Sequence, residues 1–255
     1  MCTVLVLLRP GDSWPLLLAS NRDERLDRPF DPPGRWWPEA PGVTGWRDAT
    51  AGGSWLAVND AGTVATIVNG MHELGPAPGK ASRGDVVVQL LAKRGAPEAA
   101  EAARRLHPAR YRRFTLLVAD REAAFVATCD GHALAVQRLA PGAHMLTPEG
   151  VDVSGAPRVD AYAEAFRAAA PPDPERGDWA AWIELLRRED REDPHRAMTV
   201  VTDAGFGTVA STLVAIPAPA QAPIVLFASG PPTRTPFQRY VPDRFAAAVS
   251  NAHAR

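Results

Sequence analysis

Cysteine, lysine and long apolar runs are all scarce in this chain. Among 255 residues only Cys2 and Cys129 are cysteines, which excludes a disulfide framework and indicates a reducing compartment. Only Lys80 and Lys93 are lysines, so the basic residues are nearly all arginine. The formal net charge is −1, and a chain so balanced has no overall field that would attract nucleic acid or anionic lipid.

Membrane and export signals are also lacking. No stretch approaches the roughly 18 consecutive apolar residues that a spanning helix needs. The apolar run Val4 to Leu8 has no basic stretch before it and no small-residue cleavage site after it. We therefore expect a cytoplasmic protein with no membrane span and no nucleic-acid partner.

The composition is that of an ordered globular protein. Apolar residues make up 46% and charged residues 22% of the chain, which is close to ordinary usage. A length of 255 residues lies at the upper end of what one hydrophobic core supports, so a single domain over 1–255 is expected.

Strand patterns lie at both ends of the chain, and helical patterns lie between them and at the C-terminus. This order predicts an α+β fold in which two sheets are covered by helix layers, although periodicity alone does not separate it from other α+β arrangements. The predicted strands are 3–8, 16–20, 54–58, 63–68, 114–119, 125–129, 133–139, 198–202, 212–216 and 224–228, and the predicted helices are 83–94, 97–106, 159–169, 178–188 and 244–250.

The segment 25–53 has the composition of a loop, because it is rich in proline and glycine. Structureless loops of this length are usually functional or disordered. It contains Trp36, Trp37 and Trp46, which favours an ordered flap over a cleft, with Trp37 as the candidate ligand contact. Packing of these rings in the core is an equally good interpretation.

Cys2 is the most informative position for chemistry. Methionine is commonly removed when the second residue is small, and removal would leave the Cys2 thiol and a free α-amine on one residue. The α-amine has a reference pKa of about 8, so it can accept the thiol proton, as in enzymes with an N-terminal nucleophile. A cysteine at this position is by itself often incidental.

A run of polar residues is expected to lie next to Cys2 in the fold. Residues Asn21, Arg22, Asp23 and Glu24 follow the second strand of the first predicted hairpin. In a hairpin this strand end lies beside the beginning of the first strand, where Cys2 is. Such a run can form the rim of an active site, although alone it is more typical of a solvated turn.

Several motifs together resemble the Asn-Arg-Asp-Glu (NRDE) family, also called the transport and Golgi organisation family. The match is dense from residue 1 to residue 85 and weak afterwards. The resemblance implies the four-layer αββα sandwich of the N-terminal-nucleophile hydrolases, similar to choloylglycine and penicillin acylases in the opening hairpin. The matching motifs are Met1-Cys2-Thr3, Asn21-Arg22-Asp23-Glu24, Arg28-Pro29, Gly52 to Asn59, Gly62 to Asn69 and Ser82-Arg83-Gly84.

The resemblance also implies roles for particular residues. Cys2 matches the nucleophile, and Asp23 falls where the related acylases place an aspartate near the nucleophile's amine. Asn69 matches their oxyanion-stabilising asparagine, a role that suits an uncharged donor. Arg22 is expected to stabilise negative charge or to anchor an anionic group of the substrate.

Three further residues of the motifs are expected to contact substrate. These are Asn21, Glu24 and Arg83, although Glu24 and Arg83 have the alternative of pairing with other charges. The chain departs from the family near its end, since Gly207-Thr208 is followed by Val209 where members often have an arginine.

The remaining candidates point to no metal or cofactor. Cys129 lies in an apolar strand pattern and is interpreted as a packed thiol. The six histidines show no pairing at metal-ligand spacing. Only His72 is near the proposed site, and it is more typical of a surface loop.

Two functions follow from these expectations. The first is hydrolysis or acyl transfer at an amide or thioester bond of a small acyl substrate, with Cys2 as nucleophile. The alternative follows from the resemblance, because members of the family are linked to haem handling and acyl-CoA binding. In that case the protein is a non-catalytic carrier of haem or acyl-CoA. Arg22 and Arg83 then hold a carboxylate or phosphate of the ligand, and the tryptophans cover its apolar part.

Overall fold

The computed structural model describes residues 2–71, 73, 75–219 and 221–241. Strands dominate this part of the chain. The strands are β1 (Thr3–Leu8), β2 (Leu16–Arg25), β3 (Phe30–Gly34), β4 (Val43–Asp48), β5 (Leu56–Asn59), β6 (Val64–Asn69), β7 (Phe114–Ala119), β8 (Ala124–Cys129), β9 (Leu134–Arg138), β10 (Gly142–Thr147), β11 (Gly150–Val151), β12 (Phe206–Ile216), β13 (Ile224–Ala228) and β14 (Gln238–Arg239). The helices are α1 (Arg83–Leu91), α2 (Ala96–Arg104), α3 (Pro157–Ala168) and α4 (Ala180–Leu186).

The strands form two antiparallel sheets of seven strands each. Sheet A has the order β11-β10-β1-β2-β12-β13-β14, so the first hairpin lies near its centre. Sheet B runs in chain order from β3 to β9. The link between β6 and β7 carries α1 and α2, which cover the outer face of sheet B.

Alternating apolar residues explain the stacking of the layers. In the first hairpin, Val4 and Leu18 face sheet B and join the core between the sheets. Leu5 and Leu17 point the other way, into a core shared with α3 and α4. Each sheet therefore buries both faces, and the layers run helix, sheet, sheet, helix. The expected four-layer αββα sandwich is confirmed.

The prediction of a loop over 25–53 is wrong, because this segment contributes β3 and β4 to sheet B. Prolines 32 and 33 are tolerated because β3 is an edge strand with an irregular register between Asp31 and Gly34. Trp46 on β4 is fully buried between the sheets, and its indole N–H donates to Thr212 Oγ1 at 2.7 Å. For Trp46, core packing is the correct interpretation.

Other differences concern β2 and the chain from β10 onward. The strand β2 continues to Arg25, so the run from Asn21 to Glu24 lies within the strand and not after it. The strands β10 and β11 were not predicted, because β10 has three half-buried residues followed by three buried ones and shows no alternation. The strand expected at 198–202 is reduced to one bridge between Val201 and Gly207. The helix expected at 244–250 lies outside the described residues. No helix in the described ranges is long and apolar enough to cross a membrane.

A histidine–aspartate pair fastens the β10–β11 hairpin. His144 Nδ1 lies 2.6 Å from Asp152 Oδ2, and its Nε2 lies 2.9 Å from the main-chain oxygen of Ala140. Both ring nitrogens thus face acceptors, an arrangement that only the imidazolium satisfies fully. The hydrogen bond with Asp152 raises the pKa of His144 despite partial burial. Burial opposes ionisation of Asp152, but its bonds to His144 and Met145 outweigh this and lower its pKa.

The pair is expected to stabilise the fold in mildly acidic solution only. A raised histidine pKa gives stability that is complete below the unfolded value of about 6.5 and is lost as pH rises through the folded value. A lowered aspartate pKa gives stability that is lost as pH falls below about 4. Urea unfolding should show His144→Gln destabilised by about 1 kcal/mol near pH 5.5, with the difference shrinking above pH 8. The exposed His132→Gln is the control, and a difference independent of pH would contradict this account.

Candidate active site

The register of the first hairpin places Cys2 beside the polar motif. Thr3 pairs with Asn21, so continuing the ladder by one residue sets Cys2 opposite Arg22. A cavity of about 360 Å³ opens at this end of the two sheets. Its walls are Cys2, Arg22, Glu24, Arg28, Asp48, Thr50, Ala51, Gly53, Ser54, Trp55, Ile67, Asn69, Gly75, Pro76, Ala77, Lys80, Ala81, Ser82, Arg83, Gly84 and Arg112.

The Cys2 thiol lies at the inner wall of this cavity and is only partly exposed. Its Sγ lies 3.8 Å from the main-chain oxygen of Asp23. Burial raises the pKa of the thiol, and the negative charge of Asp23 adds to the increase, whereas the Arg22 cation opposes it. The thiol is therefore protonated at neutral pH, and its use as a nucleophile requires a base.

Arg22 presents an unused hydrogen-bond donor in the same cavity. Its guanidinium carbon lies 3.9 Å from the centre of the Trp55 ring, a cation–π contact that holds the group in place. Nη2 lies 3.5 Å from Glu24 Oε2 and 3.8 Å from Asp48 Oδ2. Nη1 is buried without a hydrogen-bond partner in the described part of the chain. Burial lowers the pKa of Arg22, and the two carboxylates oppose this decrease.

Asn69 approaches the cavity from the other sheet. It ends β6, where it pairs with Phe114, and its side chain lines the cavity. Its side-chain amide makes no hydrogen bond to any residue that the structure describes. Arg22 lies in sheet A and Cys2 directly precedes β1 of that sheet, so the cavity is lined by groups from both sheets.

Asp23 points away from the cavity, to the face of sheet A that packs on the helices. Its Oδ2 accepts a hydrogen bond from Arg158 Nη2 at 2.8 Å, and its Oδ1 accepts one from Thr208 Oγ1 at 2.6 Å. Its main-chain oxygen contacts the Cys2 thiol, whereas its carboxylate lies between sheet A and the helices. Arg158 was missed by sequence reasoning, because no local motif marks a residue 135 positions away from Asp23.

Two of the expected binding residues do not line the cavity. Asn21 shares the helix-facing side of β2 with Asp23, and its amide nitrogen donates to the carbonyl oxygens of Leu186 and Met198. Trp37 donates to the carbonyl of Gly52 at 2.9 Å and lines a second cavity of about 710 Å³, bordered by α1 and α2. The structure therefore gives Asn21 a structural position, because its polar atoms are already satisfied.

The aromatic wall of the cavity is Trp55 instead of Trp37. Trp55 stacks on Trp46 with ring centres 5.3 Å apart, and Phe30 packs against both edge-on. Trp55 is part of the matched segment Gly52 to Asn59, but nothing in that motif distinguished its ring from the other tryptophans.

Glu24 and Arg83 line the cavity, yet both are largely engaged by other groups. Glu24 accepts a hydrogen bond from the main-chain N–H of Arg25 and faces Arg22. Arg83 donates to the carbonyl oxygens of Glu73, Gly75 and Arg113. Burial, with repulsion from Arg112, lowers the pKa of Arg83 to about 10. Arg83 thus holds the loop after β6 against the beginning of β7.

Main-chain packing forms another part of the wall. Gly53 and Gly84, from separate motifs, approach so closely that a Cβ on Gly53 would lie 2.4 Å from the carbonyl carbon of Gly84. Ser54 N also donates to the carbonyl of Gly84 at 3.1 Å. Only glycine at position 53 allows the segment before β5 to contact the first turn of α1 in this way.

The layers define the fold of the protein. Two face-to-face antiparallel sheets between helix layers, with a cysteine just before the first strand, form the fold of the N-terminal-nucleophile hydrolases. A solved Caenorhabditis elegans ortholog of N-acylethanolamine-hydrolyzing acid amidase matches at a TM-score of 0.57 and 13% identity, covering 87% of this chain and 98% of that one. The C2A mutant of conjugated bile acid hydrolase from Clostridium perfringens matches at a TM-score of 0.50 and 12% identity, covering 94% and 97%.

The chain belongs to the Transport and Golgi organisation 2 family, whose model matches residues 1–222. This confirms the family indicated by the motifs. The match extends far beyond residue 85, where the motif density falls. No curated protein matches the chain.

The glycine contact is expected to be intolerant of even one methyl group. Gly53→Ala forces main chain against main chain and should destabilise the protein by roughly 2–3 kcal/mol. Gly52→Ala is the matched control, because a Cβ there has open space and meets only the strain of φ +81°, which costs about 1 kcal/mol. Urea unfolding of both variants measures the difference, and equal losses would show that the contact is not restrictive.

Proposed function

We propose that the protein is an N-terminal-cysteine hydrolase or acyltransferase that acts on an amide or thioester bond of a small acyl substrate bearing an anionic group. The observation that carries this proposal is the composition of one cavity. A thiol, an unused arginine donor and an unused asparagine amide meet there, from Cys2, Arg22 and Asn69. These are the parts that acyl transfer needs.

The reaction begins after loss of Met1, which leaves the α-amine on Cys2. The amine takes the thiol proton while Sγ attacks the carbonyl carbon, and the carbonyl electrons move to oxygen. Asn69 and a main-chain N–H hold this oxyanion. Collapse breaks the bond to the leaving group, which takes the proton from the amine. Water, or an acceptor nucleophile, then attacks the thioester carbonyl and gives its proton to the amine. The C–S bond breaks, and the proton passes from the amine to sulfur and restores the thiol.

The raised pKa of Cys2 supports the need for this base. A thiol with so little solvent around it does not ionise unaided at neutral pH. Glu24 is a poor alternative base because its carboxylate faces Arg22 and accepts a main-chain hydrogen bond. The register of β1 and β2 supports a role for Asp23 in orienting the α-amine of Cys2. If the ladder is continued, the residue before Cys2 falls opposite Asp23, and the amine of Cys2 lies on that side.

An excess of cations around the cavity supports an anionic substrate. Five basic side chains line it (Arg22, Arg28, Lys80, Arg83 and Arg112) against two acidic ones (Glu24 and Asp48). Arg28 is paired with Asp48 at 2.8 Å, and Arg83 is engaged by carbonyl oxygens. Arg22 therefore offers the buried donor for a carboxylate or phosphate.

The activities named for the structural neighbours support the reaction class. One is an amidase that hydrolyses N-acylethanolamines, and the other hydrolyses conjugated bile acids. The bile acid hydrolase was solved with its second residue changed from cysteine to alanine. The substrate class proposed for this chain is inferred from the residues that line its own cavity.

A carrier of an anionic acyl ligand is the second candidate, because the same cation excess would favour it. In that function Cys2 forms no bond with the ligand. Absorbance titration with haem and calorimetry with palmitoyl-CoA separate the two functions. Tight binding without turnover by the wild-type protein supports the carrier, whereas turnover that depends on Cys2 supports the hydrolase.

The nucleophile is tested by its position and by its loss. Intact-mass spectrometry should show the protein without Met1. Release of p-nitroaniline should be faster from glutaryl-p-nitroanilide than from butyryl-p-nitroanilide, and Cys2→Ala should abolish it. Cys129→Ala, which removes the other, buried thiol, should leave the rate unchanged. Retained Met1 in active protein, or activity in Cys2→Ala, would falsify the mechanism.

The oxyanion role of Asn69 is tested by splitting kcat from KM. Asn69→Ala removes a donor used in the transition state, so kcat should fall roughly 10²–10³-fold with little change in KM. Asn69→Asp keeps the shape but places negative charge beside the oxyanion, so its loss should be larger. Steady-state kinetics on glutaryl-p-nitroanilide measures both variants. A normal kcat in Asn69→Ala would remove this residue from the mechanism.

A further inference from the structure

A buried ion pair lies directly behind Cys2, on the helix-facing side of sheet A. Arg158, in the first turn of α3, donates to Asp23 Oδ2 at 2.8 Å and to Thr3 Oγ1. The side chains of Arg158 and Asp23 are 3% and 0% exposed. Thr208 Oγ1 donates to the other carboxylate oxygen at 2.6 Å.

Stability alone does not account well for such a pair. Removing two charges from water costs about as much as their attraction returns, so buried ion pairs contribute little net stability compared with apolar packing. The adjacent layer offers that option, because α3 and α4 pack on sheet A through apolar side chains such as Leu5, Phe166 and Trp182. Arg158 and Asp23 replace such packing at the point nearest to Cys2.

Asp23 has a direct electrostatic effect on the nucleophile. Its main-chain oxygen contacts Cys2 Sγ, and its negative charge disfavours the thiolate. A carboxylate beside an α-amine raises the amine's pKa above its usual value of about 8. An amine held protonated cannot accept the thiol proton, so an uncompensated Asp23 would oppose the chemistry twice.

We propose that Arg158 is a positioning residue that offsets the charge of Asp23 from behind the sheet and thereby sets the proton affinity of the Cys2 thiol and amine. The part concerning the amine rests on the proposed function. Asp23 then orients the amine without locking it in the protonated form. Arg158 never touches the substrate, because the sheet lies between it and the cavity.

Other charges act on Cys2 from the cavity side and stay constant in the test. Arg22 and Glu24 belong to sheet A, and the others come from β4, from the segments before β3 and β7, and from the region around the start of α1. These groups are Arg22, Glu24, Arg28, Asp48, Lys80, Arg83 and Arg112. Substitution at position 158 leaves all of these charges in the chain, because Arg158 lies on the helix-facing side of sheet A and they line the cavity on the other side.

The test is the pH dependence of Cys2 alkylation by iodoacetamide, followed by peptide mass spectrometry so that Cys2 and Cys129 are read separately. Arg158→Met should raise the apparent pKa of Cys2 and slow its alkylation roughly tenfold at pH 7, as one pKa unit implies. Arg158→Lys keeps a positive charge beside Asp23 and should stay within about twofold of wild type. Thr3→Val removes a hydrogen-bond partner of Arg158 without changing any charge, and should also stay near wild type.

A double variant separates charge from structure. In Asp23→Asn/Arg158→Met both charges are gone, so the alkylation profile should return toward wild type. If Arg158→Met does not fold, Asp23→Asn is compared with the double variant. Asp23→Asn retains the Arg158 cation without its partner carboxylate, so its Cys2 should be alkylated roughly tenfold faster at pH 7 than that of the double variant. Coincident profiles for Arg158→Met and wild type, or for Asp23→Asn and the double variant, would overturn the proposal.

Failure of this inference is distinguishable from failure of the proposed function. Thiol alkylation needs no substrate, so it reports on Arg158 even if Met1 is retained and no turnover occurs. Conversely, Cys2-dependent turnover with an unchanged Arg158→Met profile would remove the role of Arg158 and leave the hydrolase intact.

Discussion

The pairing of β1 with β2 is the constraint on which the site depends. Thr3 lies opposite Asn21, and side chains alternate between the two faces of a strand. This register sends Cys2, Arg22 and Glu24 to the cavity, whereas Asn21 and Asp23 enter the helix layer. A shift by one residue would exchange these sets and would place Asn21 and Asp23, instead of Arg22 and Glu24, on the side of the cavity.

The register is held from three sides. β12 pairs along β2 from Leu16 to Arg25, with one irregularity between Thr208 and Ala210. Asn21 joins β2 to Leu186 and Met198 through two hydrogen bonds at 2.9 and 2.8 Å. Arg158 joins β1 and β2 by contacting Thr3 and Asp23 together. The contacts that fix β2 are thus made on its helix-facing side. This explains why the buried polar residues of β2 on that side differ from those that line the cavity.

Local patterns predicted the layers well and the site only in part. The first hairpin, β5 to β9 and the helices followed from periodicity and turn residues, because these signals are short-range. The segment 25–53 was misjudged because its prolines lie in an edge strand, where a missing N–H costs little. The β10–β11 hairpin has no alternation to reveal it, and its fastening depends on a His144–Asp152 pair that only three dimensions bring together.

The site shows the same limit. Its residues from the first 85 positions could be proposed from motifs, and Cys2, Arg22, Glu24, Asn69 and Arg83 do line one cavity. Sequence order could not distinguish which members of the Asn21–Glu24 run face that cavity, nor which tryptophan forms its wall. Arg158 lies in a helix without any motif, and its burial beside Asp23 depends on the packing of α3 against sheet A.

The contact of Gly53 with Gly84 also separates the two cavities. Gly53 and Gly84 line the smaller cavity, Gly52 and Asp85 line the larger one, and Ala51 borders both. The partition between the two is therefore about one peptide thick. A side chain can rotate aside, but the main chain at Gly53 and Gly84 cannot, because it is closely packed and Ser54 N is hydrogen-bonded to the carbonyl of Gly84. On this side the space in front of Cys2 is therefore bounded by main chain and not by side chains that can rotate.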